Sequence, residues 1–138
     1  FNFILNWQID KFDASLVRQY NSGLPYTLEP ISESPLSNQF IYPNNGVAPS
    51  SFKINTKLRY EKSIGTQKIR ISLVVNNLLD ALIEKRVYPS TGRASSVHIP
   101  ESLINSFHSN YNDIYDMFND PSMYDAPREI KVGIECQM

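Results

Sequence analysis

His98 and His108 are the first residues to weigh for chemistry, because a neutral imidazole is both a common metal ligand and a general base near neutral pH. They stand ten residues apart and share no helical face, so they do not form a metal-binding pair. Asn110, Asn112, Asp113, Asp116 and Asp120 make an oxygen-rich run, yet it does not match the glycine-containing EF-hand loop. A solvated loop is the expectation there. The acids Asp113 and Asp116 carry no sequence sign of a perturbed pKa. Cys136 is the one cysteine, which excludes an internal disulfide, and no Cys/His group has zinc-like spacing. No G-x-S-x-G elbow, H-E-x-x-H helix, P-loop or G-x-G-x-x-G fingerprint occurs. We therefore assign no catalytic, cofactor-binding or metal-binding residue, expect no cofactor, and do not expect an enzyme.

Composition narrows the alternatives further. A chain of 138 residues with 41% apolar and 20% charged residues has the make-up of one ordinary folded domain, not of a disordered or collagen-like chain. Its 13 basic and 14 acidic residues give a formal charge of -1, which leaves no electrostatic footprint for nucleic acid. No apolar run approaches the ~18 residues of a membrane-spanning helix. A membrane β-barrel stays open, because its strands alternate in polarity. Phe1 follows no initiator Met and no signal segment precedes the first strand-like run, so an excised or processed chain is expected.

The elements are legible from a period of two. In residues 1–10, Phe1, Phe3, Leu5, Trp7 and Ile9 oppose Asn2, Asn6, Gln8 and Asp10, with Ile4 as the exception. Similar alternation predicts strands over 12–21, 52–61, 68–76 and 128–138. Val17, Arg18 and Val74 fall on the wrong sides. Short hairpin connections follow the first and third strands, whereas loops 22–51 and 77–127 follow the second and fourth. An up-and-down sheet with that order gathers its long loops at one end and its short turns at the other, as outer-membrane barrels do. Strands of about 10 residues, at roughly 3.3 Å each and tilted about 40°, span on the order of 25 Å of membrane. A soluble antiparallel β-domain used for binding or adhesion has the same periodicity and is the alternative.

The loops differ in character. Residues 22–51 carry Pro25, Pro30, Pro35, Pro43, Asn44-Asn45-Gly46 and Pro49, which specify turns, so no regular element is expected. Tyr26, Phe40 and Tyr42 could contact a ligand, although burial among neighbouring loops is the preferred reading. From Glu101 to Phe118, apolar residues recur at helical spacing and predict one amphipathic helix. Arg18 sits on the apolar side of its strand toward a long loop, where its side chain could snorkel to an outer-leaflet phosphate or mark a local irregularity.

Four short motifs add a resemblance. They are Tyr20-Asn21-Ser22-Gly23-Leu24-Pro25-Tyr26-Thr27, Asn77-Leu78-Leu79-Asp80, Val87-Tyr88-Pro89-Ser90-Thr91-Gly92-Arg93 and Ala126-Pro127-Arg128-Glu129-Ile130-Lys131-Val132-Gly133. Their order resembles the C-terminal part of TonB-dependent outer-membrane receptors across nearly the whole chain. The resemblance implies an all-β fold: antiparallel up-and-down strands of a large transmembrane β-barrel, with one helix in a long extracellular loop. It also implies the Gram-negative outer membrane and active uptake of a scarce nutrient, of the siderophore, cobalamin, glycan or peptide class. The implied partners are the rest of the barrel, an N-terminal plug, outer-membrane lipid and periplasmic TonB, which couples through the plug. The chain finishes Cys136-Gln137-Met138 where the family commonly ends on an aromatic residue. On this reading Lys53, Lys57, Arg59, Lys68 and Arg70 face the lumen, Leu58, Ile69, Ile71, Leu73 and Val75 face lipid, and Trp7 and Tyr60 belong to interfacial girdles.

Overall fold

The computed structural model describes residues 1–29, 42–106 and 113–137, without the side chain of Met117. Elements follow the order β1 (Asn2–Ile9), β2 (Phe12–Asn21), β3 (Pro25–Tyr26), β4 (Gly46–Val47), β5 (Ser51–Ile64), β6 (Gln67–Asn76), α1 (Glu101–Asn105), α2 (Ile114–Phe118), a 3-10 turn (Pro121–Met123) and β7 (Glu129–Gln137). Five strands form one sheet in the order β1-β2-β5-β6-β7, and every neighbouring pair is antiparallel. The described chain divides into two compact units: the sheet with residues 77–82 and 126–128, and the loop segments 22–50 and 83–125.

Two tight turns close the hairpins. Ile9 pairs with Phe12 and Ile64 with Gln67, leaving two-residue connections at Asp10-Lys11 and Gly65-Thr66. Asp10 (φ 48°) and Gly65 (φ 61°) both take left-handed backbone, which aspartate tolerates and glycine adopts without steric cost. β5 is longer than its alternating core predicts, because Lys62, Ser63 and Ile64 pair with Ile69, Lys68 and Gln67 before the turn. At the other end, Asn21 pairs with Ser51 and Asn76 with Glu129, so both long connections leave from one end of the sheet.

Two loop expectations need correction. Residues 22–51 do contain a regular element, the ladder of Pro25 with Val47 and Tyr26 with Gly46. The apolar run 101–118 does not form one helix. α1 stops at Ser106, and Asp113, in extended backbone, begins a separate helix by accepting a hydrogen bond from the Tyr115 N–H. An aspartate that caps an N-terminus this way cannot also continue a preceding helix. Among its described residues the loop therefore holds two five-residue helices where one was expected.

Burial is unequal between the units. In the loop unit Ala94, Ile99, Ile114 and Met123 form a small buried core, whereas the sheet unit buries only Val75 and Asn77 among its described residues.

Candidate functional site

The register sorts the sheet into two chemically distinct faces. Phe3, Leu5, Trp7 and Ile9 of β1 lie opposite Arg18, Leu16, Ala14 and Phe12 of β2. The same face continues through Ile54, Thr56, Leu58 and Tyr60 of β5, then Val75, Leu73 and Ile71 of β6, and ends with Ile130, Val132 and Ile134 of β7. Sequence alternation has thus become a continuous apolar surface across five strands. The sheet unit provides no second layer over it. Trp7 is 59% exposed, Val132 70% and Ile134 69%.

Aromatic and cationic residues occupy the ends of that surface. Tyr20 and Phe52 pair near the end that feeds the long connections, and the Arg18 guanidinium lies 4.8 Å from the centre of the Phe52 ring. That geometry is a cation–π contact. It gives the misplaced Arg18 a partner on its own face. Toward the turn end stand Trp7, the Phe12–Tyr60 pair and Lys62. Aliphatic side chains fill the interval between these groups.

The opposite face is polar and internally paired. Arg70 spans three strands, donating from Nε to Glu61 Oε1 at 2.7 Å and from Nη1 to Glu135 Oε2 at 2.9 Å. Arg59 approaches Asp13 at 3.9 Å, and Lys131 meets Glu129 at 3.0 Å. Such exposed pairs add little stability each, but they keep opposite charges in register across the ladder. Ile4 and Val17, which break the alternation, sit directly opposite each other on this face as a cross-strand apolar pair.

Asn77-Leu78-Leu79-Asp80 closes the loop end of the sheet. Asn77 is 1% exposed and its backbone is left-handed at φ 53°. Its N–H donates to Asn55 Oδ1 at 2.9 Å. Its side-chain amide donates to the Ala81 and Ala126 carbonyls at 3.0 and 3.4 Å and accepts from the Ala81 N–H at 3.0 Å. Asp80 Oδ1 accepts from the Arg128 N–H at 2.8 Å. Two of the four sequence motifs, at 77–80 and 126–133, are therefore joined, and together they fix where β6 ends and β7 begins.

The other two motifs meet in the loop unit. Gly46 and Gly92 flank Tyr26 so closely that a Cβ on Gly46 would come within 2.5 Å of its ring and one on Gly92 within 2.1 Å of its hydroxyl. Tyr26 is therefore packed among loops, as the burial reading expected. Tyr42 is exposed, and Phe40 lies outside the described residues. Glu84 forms a second clasp: Oε1 accepts from Arg93 Nη2 at 2.6 Å and Nε at 2.9 Å, while Oε2 accepts from the Ala94 N–H at 2.6 Å. Burial pushes this carboxyl up, but the Arg93 and Ala94 donors outweigh it and hold the group below its ordinary value.

A pH dependence follows from that clasp. Because the folded-state pKa of Glu84 is depressed, its contribution is complete above the unfolded value of 4.5 and disappears as pH falls through the lower folded value. The exchange protection of residues 84–94, after allowance for the intrinsic rate at each pH, should fall in wild type as the pH drops below 4.5, and this acid-dependent loss should vanish in Glu84→Gln. An identical acid response in both proteins would remove Glu84 as its origin.

The residues weighed for chemistry and set aside have structural duties. Asp113 caps α2, and Asp120 caps the 3-10 turn by accepting from the Ser122 N–H and hydroxyl, both at 2.8 Å. The first of these bonds is the main reason its carboxyl is held below the usual range. The His98 N–H donates to Ser90 Oγ, whereas His108, Asn110 and Asn112 lie outside the described residues. Sequence reasoning did not find a cleft of about 400 Å³ bounded by Tyr88, Ser95, Tyr115, Asp116, Phe118 and Tyr124. Its walls are assembled from stretches some thirty residues apart, and only the clustering of tyrosines hinted at it.

These features define a one-sided antiparallel sheet with a separately packed loop unit. No protein-family model, curated protein or solved structure matches this chain.

Proposed function

We propose that the chain forms C-terminal strands and extracellular loops of a TonB-dependent outer-membrane active transporter. The observation that carries the reading is the apolar face that runs through all five registered strands, exposed along β1 and β7 and half-buried over much of β2, β5 and β6, while the reverse face pairs its charges. Lipid satisfies the first face, and a hydrated or plug-filled lumen satisfies the second. Eight residues separate Phe52 from Tyr60 on the central strand, roughly 26 Å along the strand at about 3.3 Å per residue. A tilt of about 40° reduces this to roughly 20 Å along the membrane normal, comparable to the apolar band between aromatic girdles.

Connectivity supports the same orientation. Both long connections leave from one end and both tight turns lie at the other, as in barrels with long extracellular loops and short periplasmic turns. Strands beyond β1 and β7 would pair with the two sheet edges, since lipid offers no hydrogen bonds to an open edge. The remainder of the barrel, the plug, TonB and the nutrient are the partners of this reading. In a Gram-negative host, the full-length protein should fractionate with outer membranes, require detergent for extraction and migrate differently before and after boiling in SDS. Recovery as a monomer in detergent-free aqueous buffer would instead identify a soluble binding or adhesion domain.

A further inference from the structure

We infer that the cleft between Tyr88, Ser95 and the α2 segment is a binding site for an uncharged polyhydroxylated ligand, a sugar unit of a glycan. This deepens the transporter reading and rests on it for the ligand's arrival from outside the cell. At about 400 Å³ the cleft falls within the size range of small-molecule sites. Its wall is firm, because Ala94 is buried and the Tyr88 phenol donates to the Phe118 carbonyl. The Tyr88 and Phe118 rings meet edge to face at 6.2 Å, which fixes one wall. Tyr115, 58% exposed, presents an aromatic surface at the mouth.

The polar groups around these rings discriminate between ligand classes. No lysine or arginine is among the lining residues, and Asp116 contributes a carboxylate. An anionic chelate would meet like charge without a compensating cation. A cation would be attracted to Asp116 and to the ring faces. It would engage acceptors alone, whereas the hydroxyl and amide groups of Ser95, Tyr115 and Asn119 both donate and accept and are matched fully by a ligand that does both. A polyol offers both donors and acceptors to hydroxyl and amide groups, while its C–H face packs on the negative face of an aromatic ring. Among the described residues, no hydrogen bond within the protein occupies the side chains of Tyr115, Asp116 or Asn119.

The test uses the full-length protein in a detergent without a sugar headgroup, titrated calorimetrically with neutral α-glucan, β-glucan and mannan oligosaccharides, a ferric catecholate and a trilysine peptide. At least one neutral oligosaccharide should bind, and Tyr115→Ala should weaken it by about tenfold or more. Asp116→Asn, which keeps the shape and removes the charge, should retain binding within a few-fold. Unchanged SDS heat-modifiability establishes that each variant is folded. Failure of the whole oligosaccharide panel, equal affinity in Tyr115→Ala, or saturation by the catecholate or trilysine instead would overturn the assignment. Outer-membrane fractionation of the same preparations separates the two ideas: glycan binding by a protein found outside that membrane would retain the cleft and reject the transporter.

Discussion

Leu73→Arg is expected to destabilise the proposed barrel by about 2 to 4 kcal/mol, the range for a cation placed on the lipid face near the bilayer midplane. Leu73 lies between Leu58 of β5 and Val132 of β7, well inside the aliphatic part of the apolar surface. An arginine there has no neighbouring acid on its own face, and the distance to either rim limits how far it can snorkel. Lys57→Ala on the reverse face should change stability by less than about 0.5 kcal/mol, as expected of a hydrated position without a core role. Guanidinium unfolding of the full-length protein in micelles or vesicles reads both effects. Equal losses for the two variants would mean that the faces have been assigned to the wrong environments, because only a face removed from water penalises an unpaired arginine.

The strands were legible in the sequence because a period of two survives even with several exceptions. The exceptions themselves have local explanations: Ile4 and Val17 pair with each other, and Arg18 lies over Phe52. β5 extends past its expected end because the tight turn sits at Gly65-Thr66, and a polar Ser63 on the polar face continues the alternation. The break near Asp113 was signalled by an acid at the cap position with Asp116 three residues later, a pattern resembling a capping box, but regular apolar spacing outweighed it. Apolar residues at helical spacing describe a face, not the continuity of the backbone. The Tyr26 packing, the Glu84 clasp and the aromatic cleft were not legible, since each joins residues brought together by tertiary structure. The order of the motifs gave no sign that 77–80 fastens to 126–128.

That fastening makes Asn77 the position where a single small change should matter most outside the apolar face. Asn77→Ala removes a side chain that serves both the N–H and the carbonyl of Ala81 and the carbonyl of Ala126. It also forces alanine into backbone at φ 53°. Ala81 is half-buried and Ala126 exposed, so water replaces part of what is lost. About 1 kcal/mol per lost bond, partly recovered, with about 1 kcal/mol for the backbone, brings the expected total to about 3 kcal/mol. Glycine distinguishes the two causes because it accepts the left-handed backbone. Asn77→Gly should therefore lose the hydrogen-bonding part alone and fall about 1 kcal/mol closer to wild type than Asn77→Ala. Hydrogen exchange at Ala81 and the first residues of β7 should rise in both variants, because the amide is what holds the end of β6 to the start of β7. Wild-type stability and protection in Asn77→Gly would show that backbone conformation alone makes this asparagine necessary and that its amide holds nothing in place.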